Sequence, residues 1–221
     1  MPSTDFEAAR RNMIEYQVRC CKVLDPIVLN TLASMPREDF LPEHVRSLAY
    51  MEGRVPLPCG QEMMSPLQEA YILQDLELQG AERVLEIGTG TGYLTALLAM
   101  HAKEVVSYEI HEELAKLSRT NLQLHGVENA TVVHANAMAA QELDQAGTFD
   151  AVVIGATLEH MPTHILELVN EDGQIIAFIG TKPVVSLLRL TRTGNAWKRM
   201  GIFETVLQEM EGLTHKREFI F

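Results

Sequence analysis

A short apolar strand that runs into closely spaced glycines constrains this chain most. Residues 84–93 read VLEIGTGTGY, with glycines at positions 88, 90 and 92 and an apolar helical pattern after them. Glycine adopts positive φ angles and leaves no Cβ in the way of a ligand. The N-terminus of the following helix presents unpaired N–H groups. The pattern therefore predicts a strand–turn–helix unit with a ligand at Gly88, Gly90 and Gly92.

The spacing of these glycines separates two classes of ligand. A dinucleotide fingerprint is G-x-G-x-x-G with a pyrophosphate at the helix N-terminus, whereas here the spacing is G-x-G-x-G and Tyr93 follows the third glycine. Glu86 precedes the first glycine by two residues, and a carboxylate there suits an ammonium group better than a pyrophosphate. S-adenosyl-L-methionine carries an ammonium and a sulfonium group but no phosphate. We therefore expect this methyl donor as the cofactor and S-adenosyl-L-homocysteine as its product.

An acidic residue at the end of the next predicted strand adds to this site. Glu109 lies 17 residues beyond Gly92, at the end of an apolar segment. A carboxylate at that point is placed to accept hydrogen bonds from both ribose hydroxyls of a bound nucleoside. The same feature fits a nicotinamide adenine dinucleotide, so a nicotinamide-dependent dehydrogenase remains as a distant alternative.

Helices and strands alternate from residue 65 onwards. The predicted helices cover residues 65–78, 92–100 and 112–124, and the predicted strands cover residues 83–87, 104–108, 131–134, 149–154 and 173–179. Such alternation implies a parallel sheet that is covered on both faces. The last part of the chain reads instead as strands over residues 185–191, 198–208 and 217–221. We predict an α/β fold with a doubly wound, Rossmann-like, mostly parallel sheet and antiparallel C-terminal strands.

The first 65 residues differ from the rest of the chain. They read as short helices, followed by an irregular stretch over residues 51–65 in which Pro56 and Pro58 exclude a regular helix. We predict an N-terminal helical layer and a substrate-side loop over residues 1–65. Residues 66–221 are predicted to form the cofactor-binding domain, and the two parts to make one compact unit.

Charge and cysteine content limit the partners and the compartment. The chain has 18 basic and 30 acidic residues, a net charge of −12, unlike the basic surfaces that bind nucleic acid phosphates. Neither nucleic acid nor a membrane is an expected partner, and no apolar run approaches the roughly 20 residues of a membrane span. Cys20, Cys21 and Cys59 have neither a disulfide pattern nor metal-ligand spacing. With no secretory signal pattern at the N-terminus, we expect a cytoplasmic protein without a metal site.

Several short motifs carry a resemblance to a known family. The more specific ones are residues 37–42 (REDFLP) and Gly60-Gln61 followed by Pro66, and the glycine turn and residues 149–154 match as well. Over about two thirds of its length the chain resembles the protein-L-isoaspartate O-methyltransferases, which are class I S-adenosylmethionine enzymes. The resemblance implies that the cofactor is held by Glu86, Gly88, Thr89, Gly90, Gly92, Glu109, Asn136 and Ala137.

The chain departs from the family pattern in two places. The family has Gly-Gln-Thr-Ile-Ser-x-Pro, whereas residues 60–66 read GQEMMSP, so that Glu62 and Met64 replace the threonine and the serine. After the third strand the family commonly has Gly-Asp-Gly, and here Asn136 lies between two alanines. The side-chain carbonyl of Asn136 remains able to accept a hydrogen bond from the adenine amino group.

The resemblance places the catalytic centre at Gln61, Met64 and Ser65. Ser65 is shifted by one residue from the family's serine, and its other interpretation is the N-cap of a helix that begins at Pro66. Met64 cannot donate a hydrogen bond to a carboxylate as serine does, and a carboxylate at Glu62 opposes an anionic acceptor.

The implied activity is methylation of the free carboxylate of isoaspartyl residues in damaged proteins or peptides, a protein repair reaction. That α-carboxylate is ionised at pH 7, so the enzyme has to align it with the methyl group rather than deprotonate it. Because of Met64, two alternatives stay open. The same scaffold methylates another small-molecule or protein acceptor, or the protein binds the cofactor or isoaspartyl peptides without turnover.

Overall fold

The computed structural model describes residues 5–143 and 145–213. Its strands are β1 (Val55–Pro56), β2 (Glu62–Met63), β3 (Arg83–Ile87), β4 (Glu104–Glu109), β5 (Ala130–His134), β6 (Phe149–Leu158), β7 (Val169–Thr181), β8 (Val184–Thr193) and β9 (Ala196–Thr205). Its α-helices are α1 (Phe6–Met13), α2 (Pro26–Ser34), α3 (Pro66–Leu76), α4 (Tyr93–Ala99), α5 (Glu112–Leu124) and α6 (Thr163–Glu167).

Within residues 5–143 and 145–213, seven strands form the central sheet, in the order β5-β4-β3-β6-β7-β8-β9. Neighbouring strands from β5 to β7 are parallel, and the pairs β7–β8 and β8–β9 are antiparallel. The predicted α/β fold with a mostly parallel sheet and an antiparallel end is confirmed. The chain runs outwards from β3 to β5 and returns on the other side of β3 as β6. In open α/β sheets, ligands bind where the strand order reverses in this way.

The C-terminal strand boundaries differ from those predicted. Strand β9 ends at Thr205 instead of residue 208, because the following backbone turns to β6: Thr157 N donates to Gln208 O at 2.7 Å, and Met210 N donates to Thr157 O at 2.8 Å. Strands β6 and β7 are longer than predicted, and register shifts interrupt their pairing. The strand predicted over residues 217–221 lies outside the described residues.

The two faces of the sheet are both covered. Along β3, Val84 belongs to one buried hydrophobic cluster, and Leu85, on the other face, belongs to a second. The first cluster also contains Met13 and Leu32 from the N-terminal segment, so that segment packs on the same core as α3 and α4. After α2 this segment continues in short 3-10 helices, at Arg37–Phe40 and Glu43–Leu48 among others. Among the described residues, no helix has the length and apolar character needed to cross a membrane.

Candidate functional site

A crevice lies at the carboxyl ends of β3 and β6, where the strand order reverses. It is lined by Gly88 and Gly90 of the glycine turn, by Glu109 and Asn136 at the ends of β4 and β5, and by Gly155 of β6. A smaller cavity adjoins the crevice at the same glycines. The structure thus brings the turn and the ends of three neighbouring strands together, as the sequence predicted for a ligand site.

The three glycines of the turn serve two different purposes. All have positive φ angles, 95°, 57° and 87° for Gly88, Gly90 and Gly92. A Cβ at Gly88 or Gly90 would meet its nearest neighbour only at 3.9 or 3.8 Å, and both residues line the crevice. A Cβ at Gly92 would lie 3.1 Å from Ser118 Cβ. Gly92 therefore allows α4 to pack closely against α5, and the first two glycines are the ones that face the crevice.

The carboxylate of Glu109 ties the turn to the end of β4. Its Oε2 accepts a hydrogen bond from Gly90 N at 2.8 Å, and its Oε1 accepts one from His111 N at 2.9 Å. An ionised carboxylate has about four acceptor sites, so two backbone donors leave capacity for ribose hydroxyls. The residue lines the crevice and is buried, and its position fits the predicted contact.

Glu86 lies beneath the turn instead of lining the crevice. Its carboxyl accepts hydrogen bonds from Thr95 Oγ1 at 2.5 Å and Ser107 Oγ at 2.6 Å, and only 1% of the residue is exposed. Burial raises the pKa of Glu86 to about 7, against the two hydroxyl donors, which lower it. The predicted direct contact between this carboxylate and an ammonium group does not follow from this placement. Thr89 lies in the turn itself and lines the smaller cavity.

Asn136 and Ala137 line the crevice at the end of β5. Asn136 Oδ1 accepts a hydrogen bond from Met138 N at 3.0 Å, and Asn136 Nδ2 donates to Gly212 O at 3.0 Å. An amide carbonyl has two lone pairs, so Oδ1 keeps one acceptor site for an adenine amino group. The contact with Gly212 also holds the C-terminal segment at the rim of the site.

The segment that precedes α3 covers the crevice and carries Gln61. The pairing of β1 with β2 closes it into a small loop, and Leu57, Gln61 and Glu62 line the crevice. Gln61 Nε2 donates to Glu211 Oε1 at 2.6 Å, and Glu211 Oε2 lies 3.1 Å from His111 Nε2. Sequence reasoning missed His111 and Glu211. Glu211 carries no motif and follows Gln61 by 150 residues, so only the tertiary structure shows that they meet.

Ser65 and Met64 take different places despite being adjacent. Ser65 is the N-cap of α3: its Oγ accepts from Gln68 N at 3.3 Å, and its N donates to Gln68 Oε1 at 2.8 Å, which confirms the capping box. Ser65 lines neither the crevice nor the smaller cavity, whereas Met64 lines the smaller cavity together with Thr89 and Tyr93. Of the residues predicted to be catalytic, Gln61 and Met64 face the site.

A buried ion pair fixes the backbone of Met64. The guanidinium of Arg37 pairs with Glu69, and it donates to Ala49 O at 2.8 Å and to Met64 O at 2.5 Å. Buried charges need such pairing because their desolvation is costly. In the sequence Arg37 belongs to the family motif at residues 37–42. No local pattern reveals that its side chain supports the loop above the crevice.

The charge of the crevice limits its ligands. Its lining includes four glutamates, Glu62, Glu109, Glu209 and Glu211, and no lysine or arginine is among the described residues that line it. A pyrophosphate would be repelled by such a surface, whereas a phosphate-free nucleoside with a cationic amino acid part fits it. The residues present thus fit S-adenosyl-L-methionine better than a dinucleotide. The described residues contain no group of three or more His, Cys, Asp or Glu side chains that could hold a metal ion.

Comparison with known proteins identifies the family that this chain resembles. Residues 8–207 match the family model of the protein-L-isoaspartate(D-aspartate) O-methyltransferases. Protein-L-isoaspartate O-methyltransferase 1 of Rhodopseudomonas palustris is 35% identical over 192 residues, 86% of this chain and 78% of the relative. The Koribacter versatilis protein-L-isoaspartate O-methyltransferase is 33% identical over 184 residues, 83% of this chain and 82% of the relative.

The fold also matches a solved structure. A Plasmodium falciparum protein-L-isoaspartate O-methyltransferase, crystallised with S-adenosyl-L-homocysteine, superposes with a TM-score of 0.77 at 20% identity. The match covers 92% of this chain and 97% of the other. At this level of identity the likeness supports the fold alone.

Proposed function

Because this chain belongs to the protein-L-isoaspartate(D-aspartate) O-methyltransferase family, we propose that it methylates the free carboxylate of isoaspartyl residues in proteins and peptides. S-adenosyl-L-methionine is the proposed methyl donor, and S-adenosyl-L-homocysteine is the product. The observation that carries the proposal is the crevice at the strand reversal, with Gly88, Gly90 and Glu109 in its wall and no described lysine or arginine in its lining.

We place the nucleoside of the cofactor between the glycine turn and the end of β5. Glu109 accepts hydrogen bonds from the ribose hydroxyls, and Asn136 accepts one from the adenine amino group. The backbone of Gly88 and Gly90 approaches the cofactor closely because neither residue has a side chain. Glu86 supports the turn from beneath through the hydrogen bonds of Ser107. Gly92 supports it by letting α4 pack against α5.

The protein's part in the reaction is alignment. When bound, S-adenosyl-L-methionine supplies an electrophilic methyl group. The α-carboxylate of an isoaspartyl residue is already ionised at pH 7, so no residue of this chain has to remove a proton from it. Gln61 and Met64 border the same cavities as the glycine turn, so their loop would hold the acceptor there and align its carboxylate with the methyl group, against the opposing charge of Glu62.

One observation favours a second candidate acceptor. Met64 lines the smaller cavity with an apolar, 8% exposed side chain, where a carboxylate would gain no hydrogen bond from it. An acceptor that places an apolar group against Met64 is therefore the alternative substrate class on the same scaffold.

A paired transfer assay tests these interpretations. Labelled methyl transfer is measured to two peptides that differ only in one isoaspartyl or aspartyl residue, and S-adenosyl-L-homocysteine binding is measured by calorimetry in the same preparation. Transfer to the isoaspartyl peptide alone supports the proposal. Binding without transfer to either peptide contradicts it and favours another acceptor or a sensor. Gly90→Val serves as the control that abolishes cofactor binding in a folded protein.

The compartment and the domain arrangement are also proposals. The free thiols of Cys20, Cys21 and Cys59, two of them exposed, support a reducing cytoplasmic compartment, which fractionation of cells that express the protein tests. The hydrophobic cluster shared by residues 1–65 and 66–221 supports one compact unit. A single cooperative unfolding transition is expected, and two separate transitions would contradict it.

A further inference from the structure

A chain of buried hydroxyls connects Glu86 to the glycine turn. Ser107 Oγ on β4 lies 2.6 Å from Glu86 Oε2 and 2.5 Å from Thr89 Oγ1. Thr95 Oγ1 of α4 is the second hydroxyl on the same carboxyl oxygen, at 2.5 Å. All four residues are at most 4% exposed, and Thr89 lines the smaller cavity beside the turn.

The number of protons fixes the direction of these hydrogen bonds. A hydroxyl donates one proton and accepts through its lone pairs. When Glu86 is ionised, Ser107 donates to the carboxylate, so the only proton available between Ser107 and Thr89 is that of Thr89. The hydroxyl of Thr89 then donates inwards, and its lone pairs are left for the cavity.

Protonation of Glu86 reverses this order when its proton lies on the bond to Ser107. The carboxyl donates to Ser107 Oγ, Ser107 donates to Thr89 Oγ1, and the proton of Thr89 turns towards the cavity. The first arrangement offers a bound cation an acceptor and a nearby negative charge. The second offers it a donor and no charge from Glu86, although Glu62 and Glu69 also line the smaller cavity.

We propose that Ser107 is a positioning residue for the cofactor, which links the charge of the Glu86 carboxyl to the hydrogen-bonding direction of Thr89 at the glycine turn. The inference rests on the proposed binding of S-adenosyl-L-methionine at this turn, and it concerns the amino acid part of that cofactor, whose ammonium group is the cation in reach of the turn. Ionised Glu86 then favours binding, and neutral Glu86 weakens it.

The surroundings of Glu86 bring the change between the two hydrogen-bonding arrangements close to neutral pH. Burial raises the pKa of Glu86 to about 7. Glu109 at the end of β4 and Glu69 on α3 are the charged groups that act on it, and both raise its pKa further. Arg37 pairs with Glu69. Since a cation binds better to the ionised form, binding lowers the pKa of Glu86 and affinity falls as the pH drops below about 7.

Calorimetry of S-adenosyl-L-homocysteine binding between pH 5.5 and 8.5 tests the proposal without any acceptor, so its outcome is independent of the isoaspartyl reaction. The product keeps the ammonium group of the cofactor. For the unmodified protein we expect the dissociation constant to rise about tenfold from pH 8 to pH 6, the limit being tenfold per pH unit for one proton. Glu86→Gln should hold the weaker affinity at every pH. A profile that survives in Glu86→Gln with the same midpoint overturns the assignment.

Ser107→Ala is the decisive variant. Because it breaks the link between Glu86 and Thr89, the change in dissociation constant between pH 8 and pH 6 should fall well below tenfold. The midpoint of the change that remains should move upwards, since the carboxylate loses one of two donors. A full tenfold change would overturn the proposal. A uniform loss of affinity with an unmoved midpoint would show a merely structural role and overturn the proposal. Ser118→Ala is the matched control, since Ser118 is also buried and its hydroxyl donates to Ala115 O; its profile should equal that of the unmodified protein.

Thr89→Val should weaken binding, and Thr89→Ser, which keeps the hydroxyl, should restore it; equal affinities for the two variants also overturn the proposal.

Discussion

Replacing Glu69 by leucine is expected to destabilise the protein strongly. The side chains of Arg37 and Glu69 form an ion pair and are 0% and 2% exposed. Removing one partner of a buried pair typically costs about 3–5 kcal/mol, because the other charge stays buried without compensation. The hydrogen bonds from Arg37 to Ala49 O and Met64 O persist, but neutral carbonyls do not replace a carboxylate. We therefore expect Glu69→Leu to lower the free energy of unfolding by about 3–5 kcal/mol.

Urea unfolding followed by circular dichroism measures this loss. Glu15→Gln is the control, because it removes an ion pair with Arg19 whose side chains are 48% and 50% exposed. Such a surface pair is worth about 0.5 kcal/mol or less. If Glu69→Leu lowered the free energy of unfolding by less than about 1 kcal/mol, the reasoning would be refuted, because exposed ion pairs have contributions of that size.

A double variant separates the charge from the hydrogen bonds. Arg37→Met with Glu69→Leu leaves no buried charge, yet Ala49 O and Met64 O lose their donor. Each orphaned buried carbonyl costs about 1–3 kcal/mol. The loss of unfolding free energy in the double variant, relative to the unmodified protein, therefore measures how much the hydrogen bonds of Arg37 stabilise the loop above the crevice.

Four further outcomes are expected. Gly92→Ala should cost about 1–3 kcal/mol more than Gly80→Ala, since both have positive φ but only at Gly92 would the Cβ crowd α5; equal losses in urea would contradict the packing role. The contribution of Glu86 to stability should fall as pH rises from about 4.5 to about 7, because the Glu86 carboxyl keeps its proton there in the folded protein and not in the unfolded chain; pH-dependent melts should show a smaller fall for Glu86→Gln, and an equal fall would contradict the raised pKa. Glu109→Ala should weaken S-adenosyl-L-homocysteine binding by about 10- to 100-fold, because hydrogen bonds to a charged group are lost. Unchanged affinity in calorimetry would show that the ribose does not bind at Glu109. Ser65→Ala should cost about 1 kcal/mol as a lost N-cap and keep its kcat, whereas a fall in kcat would make the hydroxyl part of the reaction.

Local patterns in the sequence were enough to predict the fold class and the elements that line the crevice. Periodicity and glycine spacing are local properties, so the strand–turn–helix unit at residues 84–93 and the capping box at Ser65 could be read directly. Parallel strands end at one edge of a sheet, and the acidic residue Glu109 therefore had to lie near the glycine turn. The motifs at residues 37–42 and 60–66 identified the family before any geometry was known.

Contacts between distant parts of the chain select which of these residues line the crevice. Whether Glu86 points into the crevice or beneath it depends on the hydroxyls that β4 and α4 bring to it, and whether Gly92 serves a ligand or a helix contact depends on Ser118. The meeting of Gln61 with Glu211 joins segments that carry no shared pattern. Such contacts arise because packing of the whole chain brings distant side chains together and excludes water between them, and no local signal in the sequence encodes that.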